Sequence, residues 1–314
     1  MSEIISNRSE LLFLYDIENA NPNGDPLNEN RPRFDTESST ILVSDVRLKR
    51  TIRDYWFEYK GFNGQGDNQD IFVRETPSPN GGINDGKGRV GMFDTNSQDI
   101  LRRCIDARVF GMVGPLEKGK KAKSGETGSI TYTGPVQFQM GKSLNKTEII
   151  EEQGTGAFAS SSTETKSKDQ NTFRTEYKIP YAVIGFNGVI NEKSAQYSKM
   201  NEEDKALLIE GIWDGTKNLI SRSKFGQAPL FLLTIDYNEP FYIGNLRQRL
   251  ALNCGEKNEM QIRSTSDFKL DVTELIEVLK ANKAKIAAIN LKVDSRLTMV
   301  CNGKVIGNIS KDEL

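Results

Sequence analysis

The run LLFLYDI, Leu11 to Ile17, carries one charged residue in seven and leads almost at once into NANPNGDP, Asn19 to Pro26. An apolar run of that length predicts a buried strand, with Phe13 and Tyr15 sharing one face. The octet after it consists almost wholly of residues that favour tight turns. No other feature constrains the fold as much, because a core strand ending in a rigid polar loop places that loop at the rim of the core. Three uses stay open for it: a plain connection, a loop for a metal or substrate, or a wall shaped to something long and charged.

Spacing places the other elements. In ILVSDVRLKRTIRDYWFEYKG, Ser44 is the expected helix cap and Asp45 suits the electropositive first turn. Leu48, Ile52, Tyr55 and Tyr59 form its expected inward face. Asn201, with Asp204 three residues on, approximates a capping box for a second helix with the stripe Leu208, Ile212, Gly215 and Leu219. The glycine in that stripe implies close packing against a sheet. YAVIGFNGVI and PLFLLTIDY read as core strands and DVTELIEVLKA as a shorter helix, while Leu101, Cys104, Ile105 and Arg108 line one side of another. Asn302-Gly303 between alternating apolar runs predicts a two-residue hairpin turn. This order of elements is expected of an α+β sheet with helices on one side.

Two segments depart from that pattern. Residues 61–96 hold eight glycines and little periodicity, too long for a connector, so they are expected to leave the core as an excursion. Later, a strand-like run from Thr131 to Met140 and a polar, glycine- and serine-rich stretch imply an extended arm, with a flexible tip at Ser160 to Asn171.

Composition narrows the chemistry. The 314 residues include no histidine, which removes histidine-based triads and the common zinc sites. Cys104, Cys254 and Cys301 lie far apart and fit a reducing cytoplasm better than a disulfide framework. No stretch approaches a membrane span. With a net charge of -1, binding to a polyanion requires a local cationic track.

Arg47, Lys49, Arg50 and Arg53 put four cations in seven residues. With Leu48 inward, Lys49, Arg50 and Arg53 fall on the opposite arc and Arg47 leaves from one side. Such a face is either simply solvated or meets successive phosphates. Lys118, Lys120, Lys121 and Lys123 form a weaker run, either a solvated loop or a source of non-specific attraction. GPVQFQMGKS ends like a nucleotide-binding loop, but that motif needs glycine where Val136 stands, so a strand and turn is expected. Asp16, Glu18, Asp25, Asp35 and Asp45 match no familiar metal cage, and turn or helix capping accounts for Asp25 and Asp45. Trp56 and Trp213 are expected in or near the core.

Taken in order, LFLYDIENANPNGDP, NRPRFDTE, VSDVRLKRTIRDYW, TGPVQFQMGKS and TFRTEYKIPYAVIGFNG resemble the backbone subunit of type I CRISPR interference complexes, in the I-B branch with I-C relatives. The resemblance runs from about Leu12 to Asp236, and NPNGDP and SDVRLKR are its most specific blocks. It implies a single elaborated α+β domain over 1–314. Its core would be a modified ferredoxin-like or RNA-recognition palm, with the strand and basic helix at 10–60 and the remainder at 179–314. Finger insertions would occupy 61–98. An RNA-lining segment and an arm forming part of a protruding β-hairpin thumb would occupy 124–178.

The same resemblance implies a non-catalytic protein with no cofactor and no metal. Copies would polymerise head to tail along CRISPR guide RNA, present guide bases for pairing with target DNA, and join the other subunits of the complex. The implied RNA contacts are Asn21, Asn23, Gly24, Ser44, Arg47, Lys49, Arg50 and Arg53 in the loop and helix. Gln137, Phe138, Met140, Lys142 and Ser143 follow in a second segment, with Arg174 in the arm. Phe138 or Met140 is the candidate wedge beside a base. A metal-dependent endoribonuclease of the related type III kind and a homo-oligomeric scaffold without RNA are the alternatives.

Overall fold

The computed structural model describes residues 2–66, 68–117, 119, 121–123, 125, 127–155 and 173–314. The expected arm tip, and Lys118 and Lys120 of the lysine run, lie outside the described residues.

Strand β1 (Ser9–Ala20) leads into a small ribbon of β2 (Gly24–Asp25) and β3 (Arg31–Pro32). Then come β4 (Phe34–Asp35), β5 (Thr40–Val43) and helix α1 (Asp45–Lys60). Helices α2 (Gly86–Gly91), α3 (Ser97–Arg103) and α4 (Ile105–Phe110) precede the pair β6 (Gly111–Pro115) and β7 (Ser129–Thr133). Short strands β8 (Val136–Phe138) and β9 (Gly141–Ser143) are followed by β10 (Ile150–Thr155) and the long β11 (Phe173–Ile190). Helices α5 (Glu192–Ser198) and α6 (Glu202–Lys217) lead to β12 (Gln227–Tyr237). The chain closes with β13 (Ala251–Asn253), β14 (Lys269–Asp271), α7 (Thr273–Ala281), β15 (Ile286–Val293) and the hairpin β16 (Met299–Cys301) with β17 (Lys304–Ile306).

The result is a mixed α+β fold with several sheets. The main sheet runs β15-β12-β1-β11-β9-β5-β4, and β8 and β10 also pair with β11. Central β1 lies antiparallel to both neighbours, with Phe13 opposite Phe186 on one side and Leu232 on the other. Leu11, Phe13, Tyr15 and Ile17 pack with Leu48, Ile52 and Trp56 of α1 and with Leu208 and Ile212 of α6. Leu12 and Leu14 face the opposite core, which contains Leu275 and Leu279 of α7 and residues of the sheet β13-β14-β16-β17. Helices therefore cover both faces, which corrects the one-sided expectation. Two-sided cover also explains why Leu11 to Ile17 is apolar almost without alternation.

Local signals produced the expected caps. Ser44 Oγ accepts from the Arg47 amide at 3.3 Å, and Asn201 with Asp204 completes a capping box. Asn302 (φ 49°) and Gly303 (φ 76°) take the two positive φ angles that a two-residue hairpin turn requires. Trp56 and Trp213 are buried.

Several expectations change where tertiary contacts intervene. Tyr59 is exposed and stacks on Tyr55 at 5.4 Å instead of facing inward. Cys104, in extended backbone, splits the expected single helix into α3 and α4. The Thr131 to Met140 run breaks at Gly134-Pro135, where an added Cβ on Gly134 would sit 2.0 Å from the Phe110 carbonyl carbon. Gly215 gives close approach to α1 and not to a sheet, since a Cβ there would lie 3.1 Å from that of Tyr55. The glycine-rich excursion contributes Phe72, Val90 and Phe93 to a separate hydrophobic cluster with Leu101, Met112 and Ile130. Among the described residues, no helix is long and apolar enough to cross a membrane.

Candidate nucleic-acid interface

The turn after β1 is bonded to the start of α1. Asn23 Oδ1 accepts from the Ser44 amide at 2.8 Å and from Ser44 Oγ at 2.9 Å. Asn21 donates through Nδ2 to the Asn30 carbonyl at 2.7 Å, and its amide donates to the Ser223 carbonyl at 2.9 Å. The Asp25 carbonyl accepts from the Asn28 and Asn30 amides, and its carboxylate meets Arg33 at 3.3 Å, so this aspartate holds the turn. A Cβ on Gly24 would lie 2.0 Å from Asn30 Oδ1 and 2.9 Å from the Asn30 carbonyl oxygen, so a larger residue there would have to displace Asn30. Asn21, Asn23 and Ser44 thus spend these groups on one another and on the backbone. They form a brace that fixes where α1 begins.

The helix cations divide differently from the expected arc. Arg50 is exposed and pairs with Asp54 at 2.6 Å. Lys49 and Arg53 are not on the solvent face, because α4 packs beside them. Lys49 Nζ lies 2.9 Å from Asp45 and 5.8 Å from the Phe110 ring centroid. Arg53 Nε lies 2.8 Å from the fully buried Asp106, with its guanidinium over the same ring at 5.1 Å. A helical wheel registers spacing on one helix but not the arrival of another.

Arg47 stands apart. It forms no ion pair among the described residues, and its Nε is buried with no hydrogen-bond partner. It approaches the phenol of Tyr15, which burial pushes up and the Arg47 charge partly pulls back. From the loop between α6 and β12, Lys224 donates to the Asn21 carbonyl. Burial first, and then the nearby Arg47 charge, hold the Lys224 ammonium down to about 8. Sequence reasoning missed this lysine. Its only signal is a pair of cations in SRSK, within what reads as an ordinary helix-to-strand connection.

The second segment sorts by strand alternation. Phe138 is 8% exposed and meets Phe186 edge-on at 6.5 Å, so it is a core residue and not a wedge. Met140 is 53% exposed. Gln137 points outward, its Nε2 donating to the Gly134 carbonyl at 2.9 Å. Ser143 is buried, accepting from the Ile41 amide at 3.0 Å and donating to the Asn145 carbonyl at 2.7 Å, which removes it as a ligand contact. Lys142 Nζ lies 3.2 Å from Asp35. The Asp35 carboxyl is held down to about 2 by the Ser38 hydroxyl and then by this lysine. Gly141–Ser143 pairs with β11 and β5 as a sheet strand, in line with the strand expectation for GKS.

An arm grows from the same sheet. Strand β10 pairs with the first part of β11, from Ile150 opposite Lys178 to Thr155 opposite Phe173, and Arg174 stands opposite Gly154. The Arg31 guanidinium lies 4.2 Å from the Tyr177 ring centroid and donates to its hydroxyl at 2.9 Å, tying the turn to the base of the arm. The amino-terminal carboxylates are dispersed: Asp16 pairs with Arg296 at 3.1 Å, whereas Asp35 meets Lys142. Among the described residues, no group of three or more histidine, cysteine, aspartate or glutamate side chains is placed to hold a metal ion.

Similarities to known proteins follow the same outline. A family model described as "CRISPR-associated protein Cas7" matches residues 7–273. A "CRISPR-associated protein Cas7" from Haloferax volcanii is 32% identical, over 93% of this chain and 88% of that protein. A chain from a solved "CRISPR RNA-guided surveillance complex, pre-nicking" superposes with a TM-score of 0.51 at 10% identity, covering 94% of this chain and 96% of that one. That last likeness concerns the fold alone.

Proposed function

The chain belongs to the CRISPR-associated Cas7 family, and from that premise we propose that it is the non-catalytic RNA-binding backbone subunit of a type I-B interference complex with I-C relatives. Copies assemble head to tail along one guide RNA and present its bases for pairing with target DNA, beside the other subunits of the complex. The main sheet with α1 and α6 serves as a ferredoxin-like palm, the unit containing α2 to α4 as fingers, and the β10–β11 arm as thumb. All are parts of one elaborated domain.

The observation that carries this reading is the brace between Asn23 and Ser44. It fixes the start of α1 at the rim of the core, with Arg47 and Arg50 near that end and the arm tied to the same turn through Arg31 and Tyr177. Contacts to phosphate and sugar suit a protein that must accept any guide sequence, because they carry no base information. Pairing by the guide then supplies the specificity. Repeated head-to-tail contacts build an open filament and not a closed ring. Met140 is the wedge candidate, and Gln137, Lys142 and Arg174 remain RNA contacts in the proposal.

The test is purification from cells that express the guide locus, with no nucleic acid added. Several copies of the chain on one short RNA of uniform length, with partner proteins, is the expected result. Filaments free of RNA would replace this reading with the scaffold. Regular Mg²⁺-dependent cuts in labelled target RNA, lost on a single aspartate substitution, would replace it with the ribonuclease.

A further inference from the structure

Cations in this protein's interior are generally matched to carboxylates: Arg53 to Asp106, Arg74 and Arg89 to Asp70, Arg108 to Asp204 and Lys205 to Asp236. Arg47 and Lys224, like Arg247 in the segment after β12, lie outside that pattern. They come from different elements, α1 and the loop between α6 and β12, and neither forms an ion pair among the described residues. Both are partly withdrawn from water, and Arg47 Nε is buried with no hydrogen-bond partner. The main-chain bond from Asn21 to Ser223 and the Lys224 bond to the Asn21 carbonyl hold the loop against the turn.

We infer that Arg47 and Lys224 form a shared seat for one phosphate of a single-stranded RNA, so that the loop between α6 and β12 is part of the RNA path. This rests on the RNA-binding reading above and adds to it a residue and a joint geometry. Two like charges brought together in a partly dry site disfavour one another and lose hydration. A phosphate between them reverses both effects, and a guanidinium beside an ammonium presents several donors to its oxygens. The lowered Lys224 ammonium agrees, because its causes are burial and the Arg47 charge with no anion to offset them. The cost of holding the pair is borne by the free protein and relieved on binding.

The experiment uses the full chain freed of RNA, a labelled 20-nucleotide uridine RNA, and binding measured across a series of salt concentrations. Lys224→Met and Arg47→Met are each expected to weaken binding and to flatten the salt slope by less than about 0.7, the value of one phosphate on a single strand, because the remaining cation still faces that phosphate. Because both cations serve the same phosphate, the double variant loses about 0.7 and no more. Lys224→Arg keeps the slope of the unaltered chain. A fall of about 1.4 in the double variant means two separate contacts and overturns the shared seat. Unaltered binding in both single variants also overturns it while leaving the RNA-binding reading in place. Failure of the unaltered chain to bind RNA removes both.

A second readout separates ligand binding from a structural role. At pH 7, Lys224→Met removes a poorly hydrated cation together with its bond to the Asn21 carbonyl, two effects of opposite sign, so the RNA-free melting temperature is expected to change little while RNA affinity falls. A drop in both would make Lys224 a structural lysine and overturn the seat.

Discussion

Two regions of this molecule use positive charge in opposite ways. At the seam between α1 and the cluster formed by 72–130, arginines end on buried carboxylates. Asp106 receives Arg53 at 2.8 Å together with the amides of Phe72 at 2.6 Å and Val73 at 3.0 Å. Asp70 receives Arg74 at 2.7 Å and Arg89 at 2.6 Å. At the corner formed by the NPNG turn, the start of α1 and the loop after α6, Arg47 and Lys224 form no ion pair among the described residues, and the carboxylate whose charge reaches Arg47, Asp54, is paired with Arg50. The first region spends its cations on internal order. The second keeps them for something from outside. Arg47 and Arg53 sit less than two turns apart on one helix, so charge density along a sequence does not tell structural cations from available ones.

The sharpest way to break this contrast is at Asp106. Asp106→Ala strands the buried Arg53 and two amides, and is expected to lower stability by on the order of 5 kcal/mol in urea unfolding. A loss under about 1 kcal/mol would mean that the seam does not depend on its ion pairs. Next in size is the second segment. Phe138→Ala is expected to cost about 3–4 kcal/mol, whereas Met140→Ala stays within about 0.5 kcal/mol. Only Met140→Ala should quench the 2-aminopurine fluorescence of an unstacked guide base, and the reverse pattern would restore Phe138 as the wedge.

Smaller effects sharpen the comparison along the helix itself. Arg50→Gln is expected to leave stability within about 0.5 kcal/mol while flattening the salt slope of RNA binding by about 0.7. An unchanged slope would take Arg50 out of the track. The smallest effect concerns Asp35. Its folded carboxyl is held down to about 2, below its ordinary value of 3.8, so the stabilisation it contributes is present above 3.8 and lost as pH falls through about 2. Lys142→Met should raise that value in a carboxyl titration followed by NMR. No movement would assign the depression to Ser38 and the Glu37 amide.

Much of the architecture was readable before any coordinates. The apolar run at 11–17, the Ser44 cap, the Asn201 capping box and the Asn302-Gly303 turn are local signals, and each formed as its residues require. Where the reading failed, the missing information came from elsewhere in the chain. Gly215 is tight because α1 crosses it, Phe138 is covered by Phe186, and Lys49 and Arg53 turn away from water because α4 lies beside them.

The sequence by itself determined the central strand, the helices α1 and α6 with their caps, and the placement of a rigid turn ahead of a basic helix, because these depend on residues within a few positions of one another. Tertiary structure alone decided which cations remain available. Asp106 is 53 residues from Arg53 and Asp204 is 96 from Arg108, while among the described residues Arg47 forms no such ion pair. Pairing is a matter of a few ångströms in space, and separation along the chain does not record it.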